Sequence, residues 1–343
     1  MRYYFLVTVW GKHRDYLKDY CIPSLISPGN IPSLPERPLL LVACPEEDFR
    51  YLMESENWAR LEAVCDVEWI PFDKPAPELS ACREMGKAHL MLTERAFKDK
   101  AFGVVITPDF MLADGSMKFI EQKRQEGYKV VLTCALRSEE EALFQAMKDR
   151  GVDLNNGISR RDMAWCAVRS LHSRDKRYEW LSGYFCKTPS AIIWKLADEM
   201  LIYTLSWNVI FIDYGSLQKH DDSVMRDWTI DGDYIHKNFG LDEKIYVCQD
   251  SDEVIQVSWS PKADREVGLG KSNSWKENTQ EGFQRDEVTK GGWFKTYFHS
   301  KSFDPLKKKI FYSPVKWHYE DLNEDWVSLE SQCTKYMHEI LDN

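Results

Sequence analysis

The chain has 343 residues, 43% hydrophobic and 29% charged, a balance that supports a packed core and excludes extensive disorder. Its formal net charge of −10 excludes the clustered basic surface that a phosphate backbone requires, so nucleic acid is not an expected partner. Nine cysteines without a CxxC pair exclude a disulfide framework, and no apolar run is long enough to span a membrane or to form a cleavable leader, so a cytoplasmic protein is expected.

Tyr3 to Trp10 is a β-branched and aromatic run that reads as a strand buried on both faces, and residues 13–27 follow with helical spacing. Pro38 to Cys44 reads as a second buried strand, residues 46–62 as a helix, and Val67 to Pro71 as a short third strand. A helix is expected from Ser80 to Phe97, with Met85, Ala88, His89 and Leu92 in its apolar stripe. It leads into the strongest strand signal of the chain, Phe102 to Thr107. A helix at 116–127 and a strand at 128–136 come next, and this alternation predicts right-handed crossovers and a largely parallel α/β sheet. From Ser138 to about Met200 the pattern is mostly helical, a helical insertion in that sheet. Strands return at Val209 to Ile212, Lys244 to Cys248 and Val254 to Trp259. Residues 262–292 are polar and glycine-containing and read as a mobile loop or lid over a main domain of residues 1–261, with residues 293–343 as a C-terminal lobe ending in a helix from Trp326 to Leu341.

The segment VVITPDFMLADGS, residues 104–116, is the most informative. A buried strand ending in a carboxylate sets Asp109 at the ligand-facing edge of a parallel sheet, where it can hold a hard cation against a diphosphate or accept hydrogen bonds from a ribose. Asp114 falls at the expected N-cap of the next helix. An apolar strand, an acidic motif and then a turn and helix resemble the nucleotide-sugar glycosyltransferases of the GT-A type, whose motif is Asp-x-Asp. Here it reads Thr107-Pro108-Asp109, so the first acid is replaced by threonine. The segments VWGKHRDYLKDYCIPSLISPGNIP, VVLTCALR and TIDGDYIHKNFGLDEKIYVCQDSDE extend the resemblance to a little-characterised bacterial group of such proteins over most of residues 1–260.

The resemblance implies a Rossmann-like GT-A sheet that binds a nucleotide-sugar donor and transfers its sugar to a glycan or surface-polysaccharide acceptor. Asp109 would hold the diphosphate directly or through manganese or magnesium. Thr8 and Trp10 would edge the nucleotide pocket, with Trp10 stacking on a base; a core tryptophan at a strand end is the alternative. Arg83 and Lys87, one turn apart, and Arg137, at the end of VVLTCALR, are candidates to meet phosphates. A solvated helix face explains the first two equally well. Asp231 and Asp233, flanking Gly232, are the candidate acceptor bases, with a simple Asp-Gly turn as the alternative. His299, after the expected lid, is a candidate to close on the diphosphate, with a surface or core histidine as the alternative, and His172 stands alongside it; His220, Asp221 and Asp222 read as a metal ligand or base or as an exposed turn cluster.

Two further signals fail. Gly270-Lys271-Ser272 ends like a P-loop, but Arg265 stands at the first glycine position and no apolar strand precedes it. Gly11 lacks the following glycines of a nicotinamide-binding turn. Thirteen tryptophans and sixteen tyrosines suit a carbohydrate-facing cleft or a dense core alike. Lys307 to Lys309 read as a solvated patch, with contact to an anionic membrane surface as the alternative. A noncatalytic nucleotide- or glycan-binding protein on a degenerate transferase fold, and another nucleotide-dependent transferase, are the competing readings.

Overall fold

A computed structural model describes residues 1–180, 190–263, 306 and 310–342, apart from 77, 135, 206, 227, 231 and 241–243. The chain is a mixed α/β protein with a largely parallel central sheet. Strands β1 (Tyr3–Thr8), β2 (Leu39–Cys44), β3 (Asp66–Pro71) and β4 (Phe102–Ile106) pair in parallel in the order β4-β1-β2-β3. Every residue of β1 and β2 is buried. Tyr3, Phe5 and Val7 enter one apolar core while Tyr4 and Leu6 enter the other, as period-2 alternation requires of a strand covered on both faces.

Beyond β4, the short β5 (Phe110–Leu112) leaves the main sheet, β6 (Val130–Cys134) rejoins it, and β7 (Arg137–Glu139) leaves again. The expected helical run from 138 to 200 holds only in part. Helices Glu140–Arg150 and Arg160–Arg169 form, but β8 (Ala191–Leu196) and β9 (Glu199–Thr204) make an antiparallel hairpin. The reason is tertiary: both strands are largely buried and carry Ile192, Trp194, Leu201 and Tyr203 into a third core with Phe311, Trp326, Cys333 and Met337. That core joins the hairpin to β13 (Val315–Trp317) and the terminal helix Glu324–Asp342.

The remaining strands are β10 (Trp207–Asp213), β11 (Ile245–Val247) and β12 (Gln256–Ser260). β10 inserts antiparallel between β4 and β6, and β11 closes the edge in parallel with β6. β12 is not in the main sheet; it pairs with β5 and β7 as a three-stranded sheet that follows the strands' carboxyl ends. No described helix is long and apolar enough to cross a membrane.

Where β13 meets the rest of the chain, His318 Nε2 lies 2.8 Å from Asp250 Oδ1 and its Nδ1 lies 2.6 Å from the Glu320 carbonyl. Burial opposes charge on both side chains, yet the hydrogen bonds prevail: the ring is held above its ordinary value and the carboxyl below its own. The histidine contributes stability that is complete below about 6.5 and is lost as pH rises through its raised folded value; the aspartate contributes stability that is lost as pH falls below about 4. The melting temperature is therefore expected to decline from mildly acidic pH through neutrality, and His318→Gln should flatten that decline; an unchanged slope in the variant would count against the pair.

Candidate functional site

A cleft of about 420 Å³ opens at the carboxyl ends of β1 and β4, where a parallel sheet offers its loops to a ligand. β1 contributes Thr8, Val9 and Trp10, and β4 runs into Thr107, Pro108 and Asp109. The loop after β1 is held by Asp48, 1% exposed, which accepts the Gly11 N–H at 3.0 Å and the Arg14 guanidinium at 2.7 Å. Gly11 has φ +59, the left-handed conformation that a residue without Cβ adopts without strain. Removing the anchor strands a backbone donor and an arginine, so Asp48→Ala is expected to cost about 2 kcal/mol, read by denaturant titration, and to loosen Trp10.

Opposite the β4 edge stands Arg137, the first residue of β7. Its Nη1 donates to Asp109 Oδ2 at 2.7 Å and to the Trp259 carbonyl at 2.5 Å. Its backbone is clamped as well: the N–H donates to the Asp175 carboxylate at 2.7 Å and the carbonyl accepts the His172 N–H at 2.8 Å. Asp109 and Arg137 are both largely buried, with side chains 13% and 28% exposed.

The side wall is the helix Ala81–Lys98, which packs on β1, β2 and β4 and turns Ala81, Cys82, Met85 and His89 toward the cleft. His89 is 3% exposed, and burial pushes its ring down to about 4, so it is neutral near pH 7. The Ile230 N–H donates to its Nδ1 at 3.4 Å, which places the ring proton on Nε2. That Nε2 has no partner among the described residues. Gln256, the first residue of β12 and 3% exposed, likewise has neither amide atom bonded. Buried polar groups are normally satisfied, so these two side chains leave hydrogen-bonding capacity in the cleft for water or a polar ligand.

No protein-family model matches the chain, and no curated protein matches it either. Among solved structures, S. aureus TarS 1–349 shares 8% identity at a TM-score of 0.29, over 50% of this chain and 56% of that one. A longer TarS structure from S. aureus gives 10% and 0.27, over 50% of this chain and 34% of that one. A 4-diphosphocytidyl-2C-methyl-D-erythritol synthase from Anaerococcus prevotii gives 11% and 0.30, over 72% and 87%. The chain thus spans about half the length of the first of these, and at such scores the functional reading rests on the chain's own cleft.

Of the residues singled out in the sequence, Thr8, Trp10, Thr107, Asp109 and Arg137 share this cleft. Arg83 and Lys87 do not line it; both are exposed, and Lys87 pairs with Glu84 at 2.6 Å, as the solvated face of the helix. Asp114 is not the cap of the following helix: Gly115 takes that position at φ +83, and Asp114 accepts the Gly29 N–H at 2.6 Å instead. Asp233 is half-buried in the helix Gly232–Asn238 and is not among the lining residues. Asp231, His299, Lys307 to Lys309, and residues 262–292 beyond Ala263 lie outside the described residues. His220 packs against Phe97, Tyr214 and Tyr234, while Asp221 accepts from Ser223 and Asp222 pairs with Arg226, a turn cluster away from the cleft. His172 is fully buried and caps a short helix through Nδ1.

The sequence reading passed over His89 and Gln256. The available signal was a histidine in an apolar helical stripe and a glutamine in the buried strand VIQVSW, each a polar group that a core position does not need.

Two places bring carboxylates together with other side chains that bear on a divalent cation. In the cleft, Asp109 is the one carboxylate among the described lining residues, and Arg137 already lies against it. Outside the cleft, ligand atoms of Asp250, Asp252 and His318 lie within 4.8 Å of one another. There, the ring is held toward its protonated form by Asp250, and Asp252 pairs with Arg161 at 3.1 Å. A metal there would have to displace that proton and the Arg161 contact. The cleft set does not fit a resident metal as built, while Asp250, Asp252 and His318 offer three ligand atoms outside it.

Proposed function

We propose that the chain is a glycosyltransferase that takes a sugar from a nucleotide-sugar donor and passes it to a glycan or surface-polysaccharide acceptor. The observation that carries this reading is the Asp109–Arg137 pair at the carboxyl edge of a parallel sheet, inside a cleft with an aromatic side chain and two unsatisfied polar groups. A guanidinium meets a diphosphate through charge-assisted hydrogen bonds, Trp10 offers a face to a base, and Gln256 and the His89 Nε2–H offer hydrogen bonds to a heterocycle or a ribose. Catalysis is then electrostatic, the fixed positive charge stabilising the departing nucleotide, with Asp231, next in sequence to the lining Ile230, favoured over Asp233 as the base that removes the acceptor proton. Residues 1–261 form the binding and catalytic unit in this reading, with 262–292 as a lid and 293–343 as the supporting lobe. The protein works at the cytoplasmic side, where nucleotide-sugars are made.

Thermal unfolding against UDP-, GDP-, CMP- and TDP-sugars tests the donor class. A ligand present at a hundred times its dissociation constant adds about 2.7 kcal/mol, a shift that is readily measured. The expected result is stabilisation by one nucleotide series, followed by transfer or slow hydrolysis of its sugar. No stabilisation by any of them would remove the reading.

A further inference from the structure

We infer that Arg137, rather than a divalent cation, is the positive charge this cleft sets against a ligand's phosphates, with Asp109 acting as the carboxylate that aims it; the inference rests on the nucleotide-sugar reading above. A metal centre needs anionic or carbonyl oxygens directed at an empty point. Here Thr107 stands where a first acid would, and the Asp109 carboxylate accepts from Arg137 Nη1 at 2.7 Å. A guanidinium in that position repels a second cation and leaves the carboxylate without charge to spare.

The arginine is built for the role. Nη1 is used up by Asp109 and the Trp259 carbonyl, while Nε and Nη2 donate to no acceptor among the described residues. Those two groups form the planar edge of the fork that matches two phosphate oxygens at once. Both backbone groups of Arg137 are fixed, by Asp175 and by the His172 N–H, so the edge is set before a ligand arrives. His89 is kept neutral by burial, so Arg137 is the one permanent cation among the described lining residues.

Calorimetric titration of the whole protein with inorganic pyrophosphate, UDP and GDP, in EDTA and again in excess manganese, tests this. The expected result is binding of a nucleoside diphosphate in EDTA, with manganese tightening it by less than about fivefold, and a loss of about tenfold or more in Arg137→Gln, the scale of a lost charge-assisted bidentate contact. Arg137→Lys should fall between the two, keeping the charge and losing the fork. Asp109→Asn keeps an amide oxygen to hold Arg137 and should leave the small manganese effect unchanged, where loss of a metal ligand would abolish a manganese gain. A manganese gain above about fivefold, or one that Asp109→Asn abolishes, overturns the inference and leaves the nucleotide reading standing. No binding of any probe in either condition overturns both. Should Arg137→Gln melt early, the EDTA comparison and Asp109→Asn decide the question.

Discussion

Gly86→Ala is expected to cost more than about 3 kcal/mol and to take ligand binding with it, the reverse of what helix propensity alone predicts. In an unobstructed helix interior the same change is worth about 1 kcal/mol of added stability. At Gly86 an added Cβ would meet the Trp228 carbonyl oxygen at 2.2 Å and that of Met225 at 2.5 Å. Both are backbone atoms, so no rotamer change relieves the clash. The segment that carries Thr229 and Ile230 to the cleft, and the Ile230 N–H to His89, would have to lift off the helix Ala81–Lys98. The measurement is the midpoint of chemical denaturation beside the ligand-induced thermal shift; a stabilised variant with normal binding would show that this close approach does not exist.

Gln256→Met should move stability and binding in opposite directions. Both amide atoms of Gln256 are buried without partners among the described residues, a burden of about 1–3 kcal/mol in the ligand-free protein that a thioether of similar volume does not carry. The variant is expected to melt about 1–2 °C higher for each 1 kcal/mol recovered, given a chain of this size. The stabilisation by ligand should fall at the same time, because a ligand whose polar groups met the amide now meets an apolar chain end. A loss of stability in the free protein together with an undiminished ligand shift would mean that Gln256 has a structural partner and no ligand to serve.

His89→Phe gives the matching comparison on the opposite wall. Its ring is uncharged in the folded protein but takes up a proton below about 6.5 once unfolded, so stability falls as pH drops from about 6.5 toward about 4, and the variant should flatten that part of the profile while ligand affinity drops. An unchanged slope between about 6.5 and 4 would show that the fold does not hold the ring neutral.

What could be read from the sequence follows from periodicity. The runs at 3–10, 38–44 and 102–107 are apolar on both faces, and only a strand covered by two layers can bury such a run, so the parallel core of the sheet was legible along with its intervening helices. Asp109 was legible for the same reason: a charge directly after such a strand must emerge at the sheet's edge. The hairpin at 191–204 was not, because its strands take their burial from the distant Phe311, Trp326 and Met337. Nor were β5 and β7, three-residue strands whose partner β12 lies more than a hundred positions away, although β12 itself reads as a strand. The chain order by itself determined the sheet and the carboxylate at its end. Only the tertiary structure decided that Arg137 meets that carboxylate, that Arg83 and Lys87 face solvent, and that His89 and Gln256 are left unsatisfied in one cleft, since hydrogen bonds across 28 to 141 residues depend on packing that no local pattern records.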